Sequence, residues 1–481
     1  MKYLLSILFF FTVIFGGFGQ NKYKPTDYLS ADFHTERRAA LRDLLPRNSV
    51  AVFFANAIRN RSNDVAYRYH QDPDFYYLTG YKEPHTMLLV FSEPQVIHGV
   101  EVNDLVIVQQ KDAQKELWLG ERLGIKGGED DLGFKLALTG YDLLEGIIDF
   151  SRFSHVLFKP FQNDVRDTGD EVDLYNLIST FKKQMKQQKT IAFDKNGMLK
   201  KERLESGMLL GYMASLREIK TAEELVLLIK AIKISAIGQI EMMKAMHQDM
   251  SETEVQGIHE FVYKKYGAEY EGYPSIVGAG NNGCVLHYIE NNKTNIKNQL
   301  VLMDLGAEYH GYTADVTRTI PANGKFTKEQ KSIYDLVYKA QTAGIAKVQV
   351  GNPFSAPDHA ARTIIAKGLI SLGIIKNMMD SRQYFPHGSS HYIGLDVHDT
   401  GNFGPFKENQ IITVEPGIYI PYNSPCDSKW WGIAVRIEDD ILITKNGPVN
   451  VSGAAPRTSD AIEKMMQQPS VLDGFVLPVL D

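Results

Sequence analysis

The sequence predicts an α/β fold in two units, and three observations carry that expectation. The chain has 481 residues, more than one ordinary hydrophobic core holds. Its first part mixes an amphipathic helical pattern with short apolar strand-like runs, whereas from about residue 200 long helical patterns take over. Further on, apolar strand-like runs carry single carboxylates, which ordinary core strands avoid. Hydrophobic residues make up 44% and charged residues 23%, a globular composition. Lysine and arginine number 52 against 58 acidic residues, for a net charge of −6, so no general basic surface exists and no nucleic-acid partner is expected.

Residues 1–19, MKYLLSILFFFTVIFGGFG, combine a charge at Lys2, an apolar run from Leu4 to Phe15 and small residues at Gly17 and Gly19. That is the layout of a secretory signal peptide cut before Gln20, so the chain is expected to be exported, periplasmic or secreted. An uncleaved anchor is the alternative, because the run is close to the shortest membrane span. No cysteine stands near the cut to take a lipid.

An N-terminal α/β unit is expected over residues 20–205. FHTERRAALRDLL reads as an amphipathic helix, and SVAVFFA, TMLLVF, DLVIVQQ and HVLFKP read as strands. The aromatic run YRYHQDPDFYYLTGY, 67–81, reads as packed interior in preference to a substrate wall. The lysine-rich FKKQMKQQKT, 181–190, reads as a solvated helix face. The change of character falls between 195 and 216, and residues 206–481 form the second unit. It opens on a long helix whose start is marked by Thr221 followed by Glu223 and Glu224.

In LVLMDLGAEYHGYTADVTRTI, 300–320, two strand-like runs flank EYHG and read as a hairpin. A turn centred between Tyr309 and His310 sets Asp304 opposite Asp315, with Cβ atoms about 4.5–5.5 Å apart. Leu302, Met303, Val316 and Ile320 make these strands largely buried, so a cation is expected between the two aspartates. In NQIITVEPGIYI, Glu415 ends a strand-like run before Pro416 and Gly417. In WWGIAVRIEDDILIT, period-two alternation puts Arg436 and Glu438 on one face. One buried glutamate beside an arginine is ordinarily a structural ion pair, but a buried group of four carboxylates costs several kcal/mol per ion unless neutralised. Two divalent cations bring four positive charges. The segment HGSSHYIGLDVHD, 387–399, holds three of the chain's 13 histidines. One imidazole from it would complete a mainly oxygen shell, which suits Mn²⁺ better than a soft-ligand zinc site. Two such ions about 3.5–4 Å apart lower the pKa of a shared water. The remaining imidazoles can transfer protons or hold a developing oxyanion. His287, on an apolar run of its own, reads by itself as a structural residue and Cys284 as a small buried one; the sequence leaves pairing of Cys284 with Cys426 open.

Taken in order, Asp304, Asp315, His391, Glu415 and Glu438, within MDLGAEYHGYTADVTRT, HGSSHYIGLDVHD, VEPGIYI and RIEDDILIT, resemble the two-metal site of the creatinase/prolidase/methionine aminopeptidase superfamily. Within it the chain most resembles the Xaa-Pro aminopeptidase (aminopeptidase P) family. NRSNDVAYRYHQDPDFYYLTGYKEP is similar to that family's first domain, so the resemblance spans roughly residues 30–465. It implies a creatinase-type N-terminal α/β domain followed by a pita-bread α/β metallopeptidase domain.

The resemblance also implies roles. Asp315 and Glu438 would bridge two metals, Asp304 would bind one, and His391 with Glu415 the other. The metals would be Mn²⁺, with Zn²⁺ or Co²⁺ as substitutes, and Glu415 would accept a proton from a bridging water that attacks the peptide. His398 and His287 would contact substrate and steady the tetrahedral intermediate. His387 would line the proline pocket, Arg436 would stand beside the metal glutamate, and Tyr419 would lie near the site. Asp64 would reach a neighbouring subunit's site, which implies a homodimer or homotetramer. The implied substrate is a peptide with proline second, whose tertiary amide lacks the N–H that general proteases use. A serine before His391 resembles bacterial aminopeptidase P more than prolidases. An Xaa-Pro dipeptidase is the nearest alternative, followed by a creatinase-like hydrolase working without metal and a metal-free peptide-binding pseudoenzyme.

Overall fold

The computed structural model describes residues 26–160, 169–186, 200–475 and 477–478. The expected leader lies outside the described residues. Ser30 starts the first helix, Ala31–Leu44, by accepting a hydrogen bond from the Phe33 backbone N–H at 3.2 Å. Behind it lies a five-stranded mixed sheet in the order Ala137–Thr139, Val100–Val108, Met87–Ile97, Ser49–Phe54, His155–Phe158. The strand SVAVFF is apolar on both sides because both sheet faces are covered. Ala51 and Phe53 join a core with Phe33 and Leu41, while Val50 and Val52 join another with Phe150 and Phe181.

The aromatic run divides. Phe75, Tyr76, Tyr77 and Leu78 are interior, on the helix Pro73–Thr79, as the sequence reading expects; Tyr67 and Arg68 remain exposed. The lysine-rich run begins inside helix Leu174–Lys186, with Phe181 buried and Lys182 and Lys183 exposed; residues 187–190 lie outside the described residues. Helix Lys200–Arg217 runs through the interval where the sequence changes character. Thr221 and Glu224 form the capping box of helix Ala222–Ala245.

The second unit packs helices Ala222–Ala245, Glu252–Lys265 and Lys328–Ile345 against short antiparallel sheets, with Ala356–Ser371 packed on Lys328–Ile345. Leu300–Leu305 lies between Val316–Pro321 and Ile276–Ala279. Ile411–Val414 pairs with Asp439–Thr444, and Gly417–Ile420 with Ile433–Arg436. Val301, Met303, Ile320, Ile333, Val337, Ile418 and Val435 close the core between these strands and helices.

The hairpin register differs from the expected one. Asp304 pairs with Thr317, and Tyr309 with Tyr312, so the turn is centred between His310 and Gly311. His310 (φ 51°) and Gly311 (φ 88°) both take positive φ, the pair of conformations a two-residue type I′ turn needs. The glycine therefore belongs at the second turn position, which moves the register by one residue on each strand. Asp315 is consequently diagonal to Asp304, two positions from its partner Thr317, and the two aspartates still share a face.

Candidate active site

The carboxylates stand where strands break or end. Asp304 is the penultimate residue of Leu300–Leu305, and Asp315 lies in the gap before Val316–Pro321. Glu415 and Pro416 separate Ile411–Val414 from Gly417–Ile420, just as Ile437 and Glu438 separate Ile433–Arg436 from Asp439–Thr444. Pro416 has no N–H to give to a ladder. The register is continuous on both sides of the gap, so Glu415 stands opposite Glu438. Their freed backbone N–H groups donate elsewhere, from Glu415 to the Ser389 carbonyl at 2.9 Å and from Glu438 to the Thr317 carbonyl at 3.1 Å. The gap thus turns two glutamates toward the hairpin that carries the two aspartates.

His391 completes this group. Its Nε2 lies 3.4 Å from Asp315 Oδ2 and 3.6 Å from Glu415 Oε1. One ligand atom each from Asp315, His391 and Glu438 fall within 4.8 Å of one another. Glu438 Oε2 accepts the Thr317 hydroxyl at 2.6 Å, while its Oε1 is buried with no hydrogen-bond partner among the described residues. A buried carboxylate oxygen left orphaned beside another carboxylate and an imidazole nitrogen fits a divalent cation as its missing partner. Asp304 Oδ1 accepts from Tyr273 Oη at 2.6 Å and its Oδ2 from the Arg436 guanidinium; the same Tyr273 hydroxyl lies 2.5 Å from Asp315 Oδ1.

The electrostatics show an excess of acid. Burial, then the charges of Asp315 and Glu415, push the Glu438 carboxyl well up. Burial, then Asp304 and Asp440, do the same to Asp315. Burial raises Glu415 to about 7. Burial opposes ionisation of Asp304 too, but the Arg436 guanidinium and the Tyr273 hydroxyl outweigh it and hold that carboxyl below its usual range. Cationic ligands are what such a cluster calls for.

The other expected residues surround the cluster. His398 packs edge-on to His391, with ring centroids 4.4 Å apart. Burial, followed by the charges of His391 and His287, lowers the His398 pKa, and Leu286 and Tyr288, the residues on either side of His287, pack against the cluster that holds Tyr419. His387 Nδ1 is 2.6 Å from the Gly388 carbonyl and its Nε2 2.8 Å from Tyr419 Oη, and Arg436 donates to that hydroxyl at 3.0 Å. With Nδ1 donating to the carbonyl, Nε2 accepts from the tyrosine, so Arg436, Tyr419 and His387 form one directed chain. Burial and then Arg436 hold the His387 pKa down at about 4. Asp64 is exposed in the turn joining Asn60–Ser62 to Val65–Ala66, apart from this group. Cys284 and Cys426 are free thiols; Cys284 packs with Leu302 and Tyr419, and burial raises its pKa to about 12.

Sequence reasoning misses Tyr273 and Thr317. Tyr273 holds both aspartates from 31 and 42 positions away, and nothing in its local pattern marks it. Thr317 had a readable signal: it follows Asp315 by two positions, and so shares its face in the strand.

Two family models match the chain: aminopeptidase P, N-terminal domain, over residues 34–147, and metallopeptidase family M24 over residues 227–445. A Haemophilus influenzae Xaa-Pro aminopeptidase is 34% identical over 447 residues, covering 90% of this chain and 96% of that one. The solved aminopeptidase P from Escherichia coli with the inhibitor Pro-Leu superposes with a TM-score of 0.80 at 30% identity, covering 91% of this chain and 98% of that one. A zinc-substituted form of the Escherichia coli enzyme in complex with product gives 0.77 at 29% identity, with the same coverage of 91% and 98%. The expected architecture is the one found, an aminopeptidase P-type N-terminal domain followed by a pita-bread catalytic domain. With its carboxylate cluster inside the second matched segment and likeness along nearly its whole length, the chain belongs to metallopeptidase family M24, among the Xaa-Pro aminopeptidases.

Proposed function

We propose that this chain is a two-metal aminopeptidase that releases the first residue of peptides with proline in second position. The observation that carries the reading is the trio of Asp315, His391 and Glu438, both carboxylates buried and one Glu438 oxygen orphaned among the described residues. Asp304, Asp315, His391, Glu415 and Glu438 would hold the cations, and their mainly carboxylate donors favour Mn²⁺, with Zn²⁺ or Co²⁺ as substitutes. Bound there, the cations would neutralise the carboxylates and supply an acidified water as nucleophile. The chain's own groups do the rest. Glu415 accepts the proton of the attacking water. His398 and His287 donate to the scissile carbonyl oxygen as its charge develops. His387, fixed through Tyr419 by Arg436, presents one imidazole face to the proline ring.

The leader-like first 19 residues support an exported, periplasmic or secreted enzyme. We propose further that the chain forms a homodimer or homotetramer in which Asp64, exposed in this chain, reaches the site of a second copy. Both parts of the proposal are checked on the purified natural protein, by N-terminal sequencing and by light scattering.

Mass spectrometry of products tests the activity, with chelated protein resupplied with Mn²⁺ and offered Ala-Pro-Ala and Ala-Pro. Free alanine and Pro-Ala from the tripeptide support the reading. Cleavage of the dipeptide alone moves the assignment to an Xaa-Pro dipeptidase, and cleavage of neither removes it.

A further inference from the structure

The residue after His398 sits in a buried ion cluster that the chemistry described above does not use. Tyr392 and Asp399 form an antiparallel bridge, with the Asp399 N–H donating to the Tyr392 carbonyl at 2.9 Å. This bridge closes the loop that carries His398 back beside His391. The Asp399 carboxylate lies inside the loop, its side chain 1% exposed. A Cβ added to Gly394 would stand 2.1 Å from Asp399 Oδ2, so the loop backbone is folded directly onto that carboxylate.

Asp399 is held from outside the loop. Oδ2 accepts from Lys220 Nζ at 2.7 Å, and Oδ1 from the Thr400 N–H at 3.0 Å and from the Arg217 guanidinium. Arg217 ends the helix that joins the two units. Its other nitrogen, NH1, donates to Asp74 Oδ1 at 2.6 Å, and Asp74 Oδ2 accepts from Lys159 Nζ at 2.7 Å. Asp74 lies on helix Pro73–Thr79, and Lys159 follows the edge strand His155–Phe158, both in the N-terminal unit. At the margin, Asp396 Oδ2 lies 3.4 Å from Arg217. One planar guanidinium therefore joins two carboxylates on different units, which a point-charge ammonium cannot do in the same geometry.

We propose that Arg217 is a positioning residue for His398: it clamps Asp399 to Asp74, so that the N-terminal unit fixes where the substrate-facing imidazole stands beside His391. The inference rests on the aminopeptidase reading and on the role of His398 in it. The N-terminal domain is then part of the catalytic scaffold, because displacement of an orienting group by even 1 Å lowers turnover.

A double-mutant cycle tests it, with Arg217→Lys and His398→Ala made singly and together in the full-length, metal-loaded protein. Metal content and thermal midpoint are measured beside kcat and KM on Ala-Pro-Ala. Arg217→Lys is expected to lower kcat by about tenfold with metal content unchanged. In the His398→Ala background the same change is expected to alter kcat by no more than about twofold, because the group it positions is gone. If the two losses multiply, the link to His398 is overturned while the aminopeptidase reading stands. If His398→Ala alone leaves kcat unchanged, the role of His398 and the link fall together. Should Arg217→Lys not fold, Asp74→Asn replaces it in the cycle. That change keeps the shape, leaves Asp399 its bonds to Lys220 and Thr400, and carries the same expectations and the same contradicting results.

Discussion

Replacing Glu438 by Gln exchanges one carboxylate oxygen for an amide nitrogen at the orphaned position and removes a charge the cations need. Groups that merely orient metal ligands cost about 10–100-fold when changed, so Glu438→Gln is expected to lose at least about 100-fold in turnover. Thr317 still donates to the remaining oxygen, so the fold should persist. Near-normal turnover with a full complement of metal would show that Glu438 does not hold the cations. The four carboxylates are legible in the sequence because each interrupts an apolar run, and burial of such a charge needs a reason. Tyr273 is not legible, because a tyrosine before Pro274 looks the same whether or not it holds two aspartates. The registration of the hairpin was ambiguous for a different reason: EYHG and YHGY both contain turn formers, and only the positive φ of His310 and Gly311 decides between them.

At the scale of elements, the helix Ala222–Ala245 carries Gly238 against His259 of helix Glu252–Lys265. A Cβ at Gly238 would lie 2.3 Å from His259 Cδ2, so Gly238→Ala forces the ring or the helices apart. The expected cost is about 1–3 kcal/mol, read from urea unfolding; a neutral or stabilising result would show that the two helices separate freely. His259 is buried, has no hydrogen-bond partner on either ring nitrogen among the described residues, and burial lowers its pKa from 6.5 to about 4. The folded state therefore refuses a proton that the unfolded chain accepts. Stability is complete above about pH 6.5 and falls as the pH drops toward about 4, by about 1.4 kcal/mol per unit from this group. His259→Leu should flatten that acid limb by one proton between pH 6 and 5. An unchanged slope would show that His259 finds a proton partner when folded. The start of Ala222–Ala245 is readable from Thr221 and Glu224, since capping is local. The strand gaps at Glu415 and Glu438 are not, because whether a ladder stops is settled by the neighbouring strand; Pro416 marks just one side of the interruption.

Over the whole molecule, the two-unit α/β organisation is legible because hydrophobic periodicity changes near residue 200, and periodicity reports which faces are buried. The exact division is not legible, since helix Lys200–Arg217 continues through it. Its last residue, Arg217, joins Asp74 to Asp399, contacts 143 and 182 positions apart that no local pattern announces. The aromatic run at 67–81 shows the same limit. Its second half is core and its first half largely surface, although both contain tyrosines, Tyr67 and Tyr69 in the first and Tyr76, Tyr77 and Tyr81 in the second. What remains central is the claim that this scaffold gathers five ligands around two cations. Titration of chelator-stripped protein with Mn²⁺ tests it most directly, with bound metal and Ala-Pro-Ala hydrolysis read at each addition. The account predicts two tightly bound equivalents per chain and hydrolysis that appears only as metal is added; hydrolysis by the metal-free protein, or no binding at all, would contradict it.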